Sequence, residues 1–289
     1  MFKKVSIIGL GLIGGSIATG MKKRGLVERV SAFDIDPIAL QNGLEQKVID
    51  EGVDSIEACI VESDLIVLAV PVLSMHETLL SLESAFQDKS CTVTDVGSVK
   101  SPLIRTAEEL FGELPSNLVP GHPIAGSEKH GVTAANPDLF EHHKVILTPT
   151  DSVSELATSK VAELWRALGA NVIEMPASHH DGIFAQTSHL PHLLAYALVD
   201  VLSAQGDSLE IFQYAAGGFR DFSRIAASDP VMWRDIFRAN QAEVRNSLDK
   251  YLAELGDIRE MIAEGRMEEL EEVFKRAKVA RDHFSGLNE

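Results

Sequence analysis

Residues 5–18 read VSIIGLGLIGGSIA: a β-branched apolar run breaks into glycines at positions 9, 11 and 14, which open onto a stretch with helical spacing. Strand, GxGxxG turn and helix in that order make the phosphate-binding turn of a dinucleotide fold. Each glycine answers a separate steric demand. Gly9 permits the tight turn, Gly11 lets backbone approach a diphosphate, and Gly14 lets the helix pack close to the strand. Leu10, Leu12 and Ile13 complete the motif. The anion then rests on a helix N-terminus, where unpaired N–H groups favour negative charge.

The second apolar run, RVSAFD, closes on Asp34, twenty residues after Gly14. A carboxylate there accepts hydrogen bonds from an adenosine ribose and repels a 2′-phosphate, and Ile35 follows it where an arginine would welcome one. These residues predict NAD as cofactor in preference to NADP. Beyond them, strand-like runs alternate with helical stretches. DLIVLAVP stops at Val70 and Pro71, which join the expected cofactor-binding set; CTVTDVGS, NLVPGHP, KVILTPT and ANVIEM repeat the strand theme. Alternation of this kind predicts an α/β fold, a Rossmann-like doubly wound and mostly parallel sheet covered on both faces. After Pro176 the periodicity is helical throughout. We expect a cofactor domain over residues 1–175 and an all-α domain over 176–289.

Composition narrows the function classes. The chain has 289 residues, 45% hydrophobic and 24% charged, with a formal net charge of −17. That charge repels nucleic acid and anionic membranes, so an anionic substrate must be met by a local cationic cluster. Two cysteines, Cys59 and Cys91, are too few for a disulfide framework and suit a reducing cytoplasm. Two lysines before an apolar N-terminal run resemble a signal peptide, but five glycines, from Gly9 to Gly20, interrupt it.

The segments after the strands carry the chemistry. Pro71, the Asp95–Ser98 turn and His122 all follow strand-like runs, at the sheet edge where open α/β folds bind ligands. GHPIAGSEKHG, residues 121–131, suits neither helix nor strand. In the helical half, His189 and His192 stand three apart without a carboxylate or cysteine to complete a metal set, so zinc is not expected. The adjacent pairs His142–His143 and His179–His180 read as surface residues. Arg220 and Arg224 lie four apart, where they share a helical face if the segment is helical. From Val244 through Leu248, Tyr251, Leu255 and Ile258 to Ile262, apolar residues recur every three or four positions and predict one long helix ending at Gly265. A stripe that long predicts a partner, and we expect a homodimer.

GLGLIGGS, DVGSVK, GHPIAGSEKHG, SHLPH and GGFRDFSRIAASDPVMWRDIF together resemble the prephenate/arogenate dehydrogenase family of tyrosine biosynthesis, in the right order along essentially the whole chain. The resemblance implies NAD-dependent oxidative decarboxylation of prephenate or arogenate by a dimer joined through its helical domains. It further implies that His122 accepts the substrate hydroxyl proton, that Ser98 hydrogen-bonds the same hydroxyl and His122, and that Arg224 grips a substrate carboxylate. His192 lines the pocket, Ser127 lies beside the substrate, Glu128 belongs to its polar surround, and Gly217 and Gly218 form a loop lent by the neighbouring subunit. A fused chorismate mutase or regulatory domain, frequent in that family, is not expected in this length. The nearest rival is a β-hydroxyacid or 6-phosphogluconate-type dehydrogenase, but these look for a helical-domain lysine and residues 176–240 contain none. A non-catalytic NAD-binding protein is the more distant rival.

Overall fold

The computed structural model describes residues 2–88, 90–126, 129–204 and 212–286. Its contacts form two compact units, Met1–Gln241 and Ala242–Glu289.

The first unit is built on a six-stranded parallel sheet in the order β3-β2-β1-β4-β5-β6. Its strands are β1 (Phe2–Ile8), β2 (Val27–Phe33), β3 (Glu51–Gly52), β4 (Leu65–Leu68), β5 (Thr92–Asp95) and β6 (Leu118–Val119). The order reverses at β1, so the crevice between β1 and β4 is the switch point of a doubly wound fold. Helices cover both faces: α1 (Leu12–Lys23), α2 (Pro37–Glu45), α3 (Ile56–Ile60), α4 (Met75–Leu80), α5 (Glu83–Gln87) and α6 (Ser101–Phe111). That coverage explains why every residue of β4 is buried and why β1 is buried from Val5 onward.

The turn after β1 is as tight as its glycines predict. Gly9 sits at φ +96°, and a Cβ on Gly14 would lie 2.2 Å from the Gly9 carbonyl oxygen and 2.9 Å from Ile7 Cγ2. Glycine at 14 is therefore what lets α1 descend onto β1.

NLVPGHP, expected as one strand, divides. Pro120 cannot donate to a ladder; after β6 the chain leaves the parallel sheet, and β7 (Gly121–Pro123) pairs antiparallel with β8 (Lys144–Leu147), which pairs parallel with β9 (Asn171–Glu174). His122 thus stands inside a second, three-stranded sheet just past the edge of the first. The helix α7 (Glu155–Ala167), capped by the Ser154 hydroxyl, buries Val161, Leu164 and Trp165 in the core shared with β5 and β6.

Beyond Pro176 the first unit is helical. α8 (Ala177–Phe184) runs into a π-helical turn (Ala185–His189) and then α9 (Leu190–Ser203); α10 (Gly217–Ser223) continues as a 3₁₀ turn (Arg224–Ala227), and α11 (Pro230–Ala239) follows, capped by Asp229. Gly217 and Gly218, expected in a loop, are the first two residues of α10. The second unit comprises α12 (Gln241–Glu264) beyond its first residue and α13 (Met267–Gly286), separated at Gly265 with φ +71°. Leu252, Leu255 and Ile262 on α12 and Met267, Phe274 and Val279 on α13 are exposed. Among the described residues no helix is long and apolar enough to cross a membrane.

Candidate active site

Three strand ends converge on one edge. Gly9 follows β1, Ala69 and Val70 follow β4, and Asp95 ends β5; the Gly9 N–H donates to Phe33 and the Ala69 N–H to Ile8, locking the turns together. A Cβ at Gly9 would lie 2.4 Å from the Ala69 carbonyl oxygen, whereas one at Gly11 would meet no atom within 4 Å. The surface above Gly11 is open, and Gly11, as N-cap of α1, brings no side chain to its first-turn N–H groups. Leu12 and Ile13 open that first turn. This is a cradle for a diphosphate. Asp34 is set rigidly beside it: Oδ2 accepts from the Leu10 N–H at 2.6 Å and Oδ1 from the Asp36 N–H at 2.8 Å. Ile35 is 92% exposed and supplies no cation. Val70 is half-buried and Pro71 exposed on the same edge. The residues present therefore fit NAD.

The turn from β5 to α6 holds a buried ion pair. Lys100, 0% exposed, donates from Nζ to Asp95 Oδ2 and to the Gly121 carbonyl at 2.7 Å, while Asp95 Oδ1 accepts from the Gly121 N–H at 3.0 Å. Burial pushes the Lys100 ammonium down from its usual pKa, with Asp95 opposing. The pair clamps both backbone groups of Gly121, the residue before His122, and so fixes the second sheet to the first.

His122 is 9% exposed and is wedged against Phe184 in an edge-on contact, ring centroids 4.9 Å apart. Its Nδ1 lies 2.9 Å from His180 Nε2; His180 Nδ1 lies 2.8 Å from Asp181 Oδ1. Asp181 in turn accepts the Lys100 and Ser101 N–H groups, each at 2.8 Å, at the start of α6. Burial pushes Asp181 up, but bonds from His180, Ser101 and Lys100 outweigh it and leave the carboxyl below its ordinary value. Burial drives His122 well below the usual imidazole value, reinforced by His180, Lys100 and His189. His122 is consequently neutral near pH 7.

The sequence placed His180 at the surface with His179. His179 is exposed, but His180 is 0% exposed and bonded to His122. Neighbours in a helix point about 100° apart, so one member of an adjacent pair can enter the core. Lys100, Asp95 and Asp181 were likewise missed as site residues, although Lys100 and Asp95 lie inside the quoted DVGSVK.

The π-helical turn sets two further histidines. His189 is buried, its Nδ1 accepts from Asn240 Nδ2 at 3.2 Å, and burial lowers its pKa to about 4. His192 donates from Nδ1 to the Ser188 carbonyl at 2.8 Å and stacks on Trp233, ring centroids 3.7 Å apart. Burial lowers its pKa, and the Arg224 charge adds to the effect, which brings Arg224 into the electrostatic reach of His192. Arg224 is exposed and, like Arg220, pairs with no carboxylate among the described residues; Asp229 instead caps α11. α10 ends at Ser223, so Arg224 begins the 3₁₀ turn and does not continue the α-helical face of Arg220. Ser98 is half-buried between β5 and α6, and among the described residues it makes no hydrogen bond to His122. Gly217 is exposed at the start of α10. Ser127 and Glu128 lie outside the described residues.

Comparison with known proteins agrees with this geometry. The family model for the nucleotide-binding domain of prephenate dehydrogenase matches residues 17–174, and that for its dimerization domain matches residues 176–276. The chain is 37% identical to the cyclohexadienyl dehydrogenase of Zymomonas mobilis, covering 97% of this chain and 96% of that protein. It is 36% identical to the prephenate dehydrogenase of Bacillus subtilis, covering 98% of this chain and 76% of that protein. The crystal structure of prephenate dehydrogenase from A. aeolicus with hydroxyphenyl propionate and NAD+ superposes with a TM-score of 0.90 at 37% identity, covering 98% of this chain and 99% of that one. The chain belongs to the prephenate dehydrogenase family.

Proposed function

We propose that this protein carries out the NAD-dependent oxidative decarboxylation of prephenate to 4-hydroxyphenylpyruvate in tyrosine biosynthesis, with arogenate as a second substrate. The observation that carries the residue assignment is the buried, neutral His122, held through Nδ1 with no described residue bonded to its Nε2. When bound, NAD+ supplies the hydride acceptor. His122 Nε2 takes the proton of the ring hydroxyl as the carbon bearing it is oxidised, and returns it to the phenolic oxygen once carbon dioxide has left and the ring is aromatic. Ser98, on the turn after β5, hydrogen-bonds the same oxygen. Arg224 holds a substrate carboxylate by a charge-assisted bond, with His192 and Trp233 as the neighbouring wall. Asp34, Leu10 and the open Gly11 backbone seat the cofactor, with Gly9, Leu12, Ile13, Gly14, Val70 and Pro71 around it.

Residues 1–175 serve as the cofactor domain and 176–289 as the substrate and dimer domain. The exposed apolar side chains of α12 and α13 support a homodimer, because uncovered stripes on two long helices are otherwise left in water. Both cysteines are buried and free, their thiols pushed up by burial to about 11 and about 12, which supports residence in the cytoplasm. Turnover of prephenate and arogenate, each with NAD+ and NADP+, tests the reading: we expect NADH formation from prephenate and little reaction with NADP+. Tight NADH binding with no turnover of either cyclohexadiene would leave a non-catalytic cofactor-binding protein.

A further inference from the structure

His122 does not stand alone. Its Nδ1 meets His180 Nε2 at 2.9 Å, and His180 Nδ1 meets Asp181 at 2.8 Å, so an imidazole lies between the base and a carboxylate. The proton positions follow from the donors at the far end. Asp181 accepts two backbone N–H groups from Lys100 and Ser101, which hold it as an ionised acceptor. A carboxylate can only accept, so His180 carries its hydrogen on Nδ1 and presents a lone pair at Nε2. His122 must then donate from Nδ1, and its Nε2 is left bare. This is the less common tautomer of a free imidazole, selected here by a chain of three groups.

We propose that His180 and Asp181 are positioning residues: they fix the Nδ1–H tautomer and ring orientation of His122, so that Nε2 is always the proton acceptor. The proposal rests on the assignment of His122 as the base and adds what holds it ready. When Nε2 gains a proton, the imidazolium keeps its Nδ1–H bond to His180, and the Asp181 charge lies one ring away. Groups facing His122 are His180 and Asp181 from α8, Lys100 from the turn before α6 with its partner Asp95, and His189 from the π-helical turn. Among the described residues none of the others accepts from His122 Nδ1, so within that set His180 is the acceptor.

The test uses the full chain with its histidines labelled with ¹⁵N. In the parent protein near pH 7.5, His122 should show a protonated Nδ1 and a bare, pyridine-like Nε2. In His180→Leu, which removes the acceptor but keeps an apolar fill, the His122 signals should move toward the Nε2–H form. The same variant should lose roughly 10²-fold in kcat, bounded by the 10⁴ that loss of a whole general-base contribution gives; KM and NADH affinity should stay within a few fold. His180→Gln, whose amide oxygen can accept from Nδ1–H, should recover much of that loss. Asp181 also caps α6, so its variants risk the fold and are not the first choice. A parent His122 carrying its proton on Nε2 overturns the relay, as does a His180→Leu enzyme with normal kcat. Full activity in His122→Asn would instead overturn the base assignment itself, so the two failures are distinguishable.

Discussion

Alanine at Gly11 and at Gly14, made separately, should split folding from cofactor binding. A Cβ at Gly14 lands 2.2 Å from the Gly9 carbonyl oxygen and 2.9 Å from Ile7 Cγ2, and the first of these is backbone. Ordinary contact begins near 3.4 Å, so the helix or the turn must shift by about 1 Å; this places the cost at the upper end of the 1–3 kcal/mol typical of overpacking. At roughly 2–4 °C per kcal/mol for a unit of this size, Tm should fall by about 6–12 °C. A Cβ at Gly11 meets nothing within 4 Å, and the replacement costs only the few tenths to about 1 kcal/mol by which alanine is the poorer N-cap. Yet that Cβ occupies the open face where a diphosphate must approach backbone N–H groups. Loss of one charge-assisted bond is worth about 1.5–3 kcal/mol, or roughly 10–150-fold in Kd. Differential scanning calorimetry and titration of NADH fluorescence measure the two quantities. A Gly11→Ala protein that binds NADH as tightly as the parent would show that the phosphates do not lie over the turn.

His122→Asn should lower kcat by about 10²–10⁴ with KM nearly unchanged, and the acid limb of the parent's kcat/KM profile should lie below pH 6.5, because burial depresses the imidazole; a limb at or above 6.5 contradicts that environment. Arg224→Ala should raise substrate KM roughly 10–150-fold while kcat stays within a few fold and NADH affinity is unchanged; Arg224→Lys should restore only part, since an ammonium keeps the charge but not the planar fork. If Arg220→Ala has the larger effect, the carboxylate clamp is misassigned. Leu255→Glu combined with Phe274→Glu should yield a species near the 31.4 kDa chain mass in sedimentation, and an unchanged dimer would mean that other surfaces join the subunits. Stability should decline on acidification: the folded pKa of His189 is lowered to about 4 against 6.5 unfolded, so the unfolded chain binds the extra proton and stability is lost between pH 6.5 and 4, about 1 kcal/mol by pH 5.5 from this residue alone. Urea midpoints that stay flat over that window would refute the buried, neutral state.

The parts of the site that were legible in the sequence are those whose chemistry is local. A glycine's steric role acts within a few residues, so Gly9, Gly14 and the strand–turn–helix around them could be read directly, as could Asp34 at a fixed distance along one βαβ unit. The alternation of strands and helices likewise pointed to the parallel sheet, because parallel crossovers leave few topologies, but KVILTPT and ANVIEM, expected in that sheet, form β8 and β9 of the second one. What escaped was non-local. Nothing near Lys100 in the sequence marks it as buried, and only the fold brings it under Gly121, twenty-one residues later, with Asp95 to neutralise it. His180 looked like half of a surface pair until α8 was seen to turn it onto His122, fifty-eight residues away. The split of NLVPGHP could have been suspected from Pro120, but nothing local specifies that the next three residues join another sheet.

Charge around His122 gives these burials a common sense. Lys100 and Asp95 cancel, so the chain of His122, His180 and Asp181 carries one uncompensated negative charge before a proton arrives and none afterwards. An isolated buried carboxylate would be costly, and Asp181 is tolerated because two backbone N–H groups at the start of α6 and the His180 ring satisfy it. The same burial that weakens His122 as a base keeps it unprotonated and ready at neutral pH, while the carboxylate behind it compensates the imidazolium at the moment it forms. A direct His122–carboxylate contact would stabilise the imidazolium more strongly and raise its resting pKa, so that a larger share of the base would already carry a solvent proton near neutral pH. Interposing His180 keeps the tautomer fixed and the charge one ring further off, a compromise suited to a base that must be both empty and oriented when substrate binds.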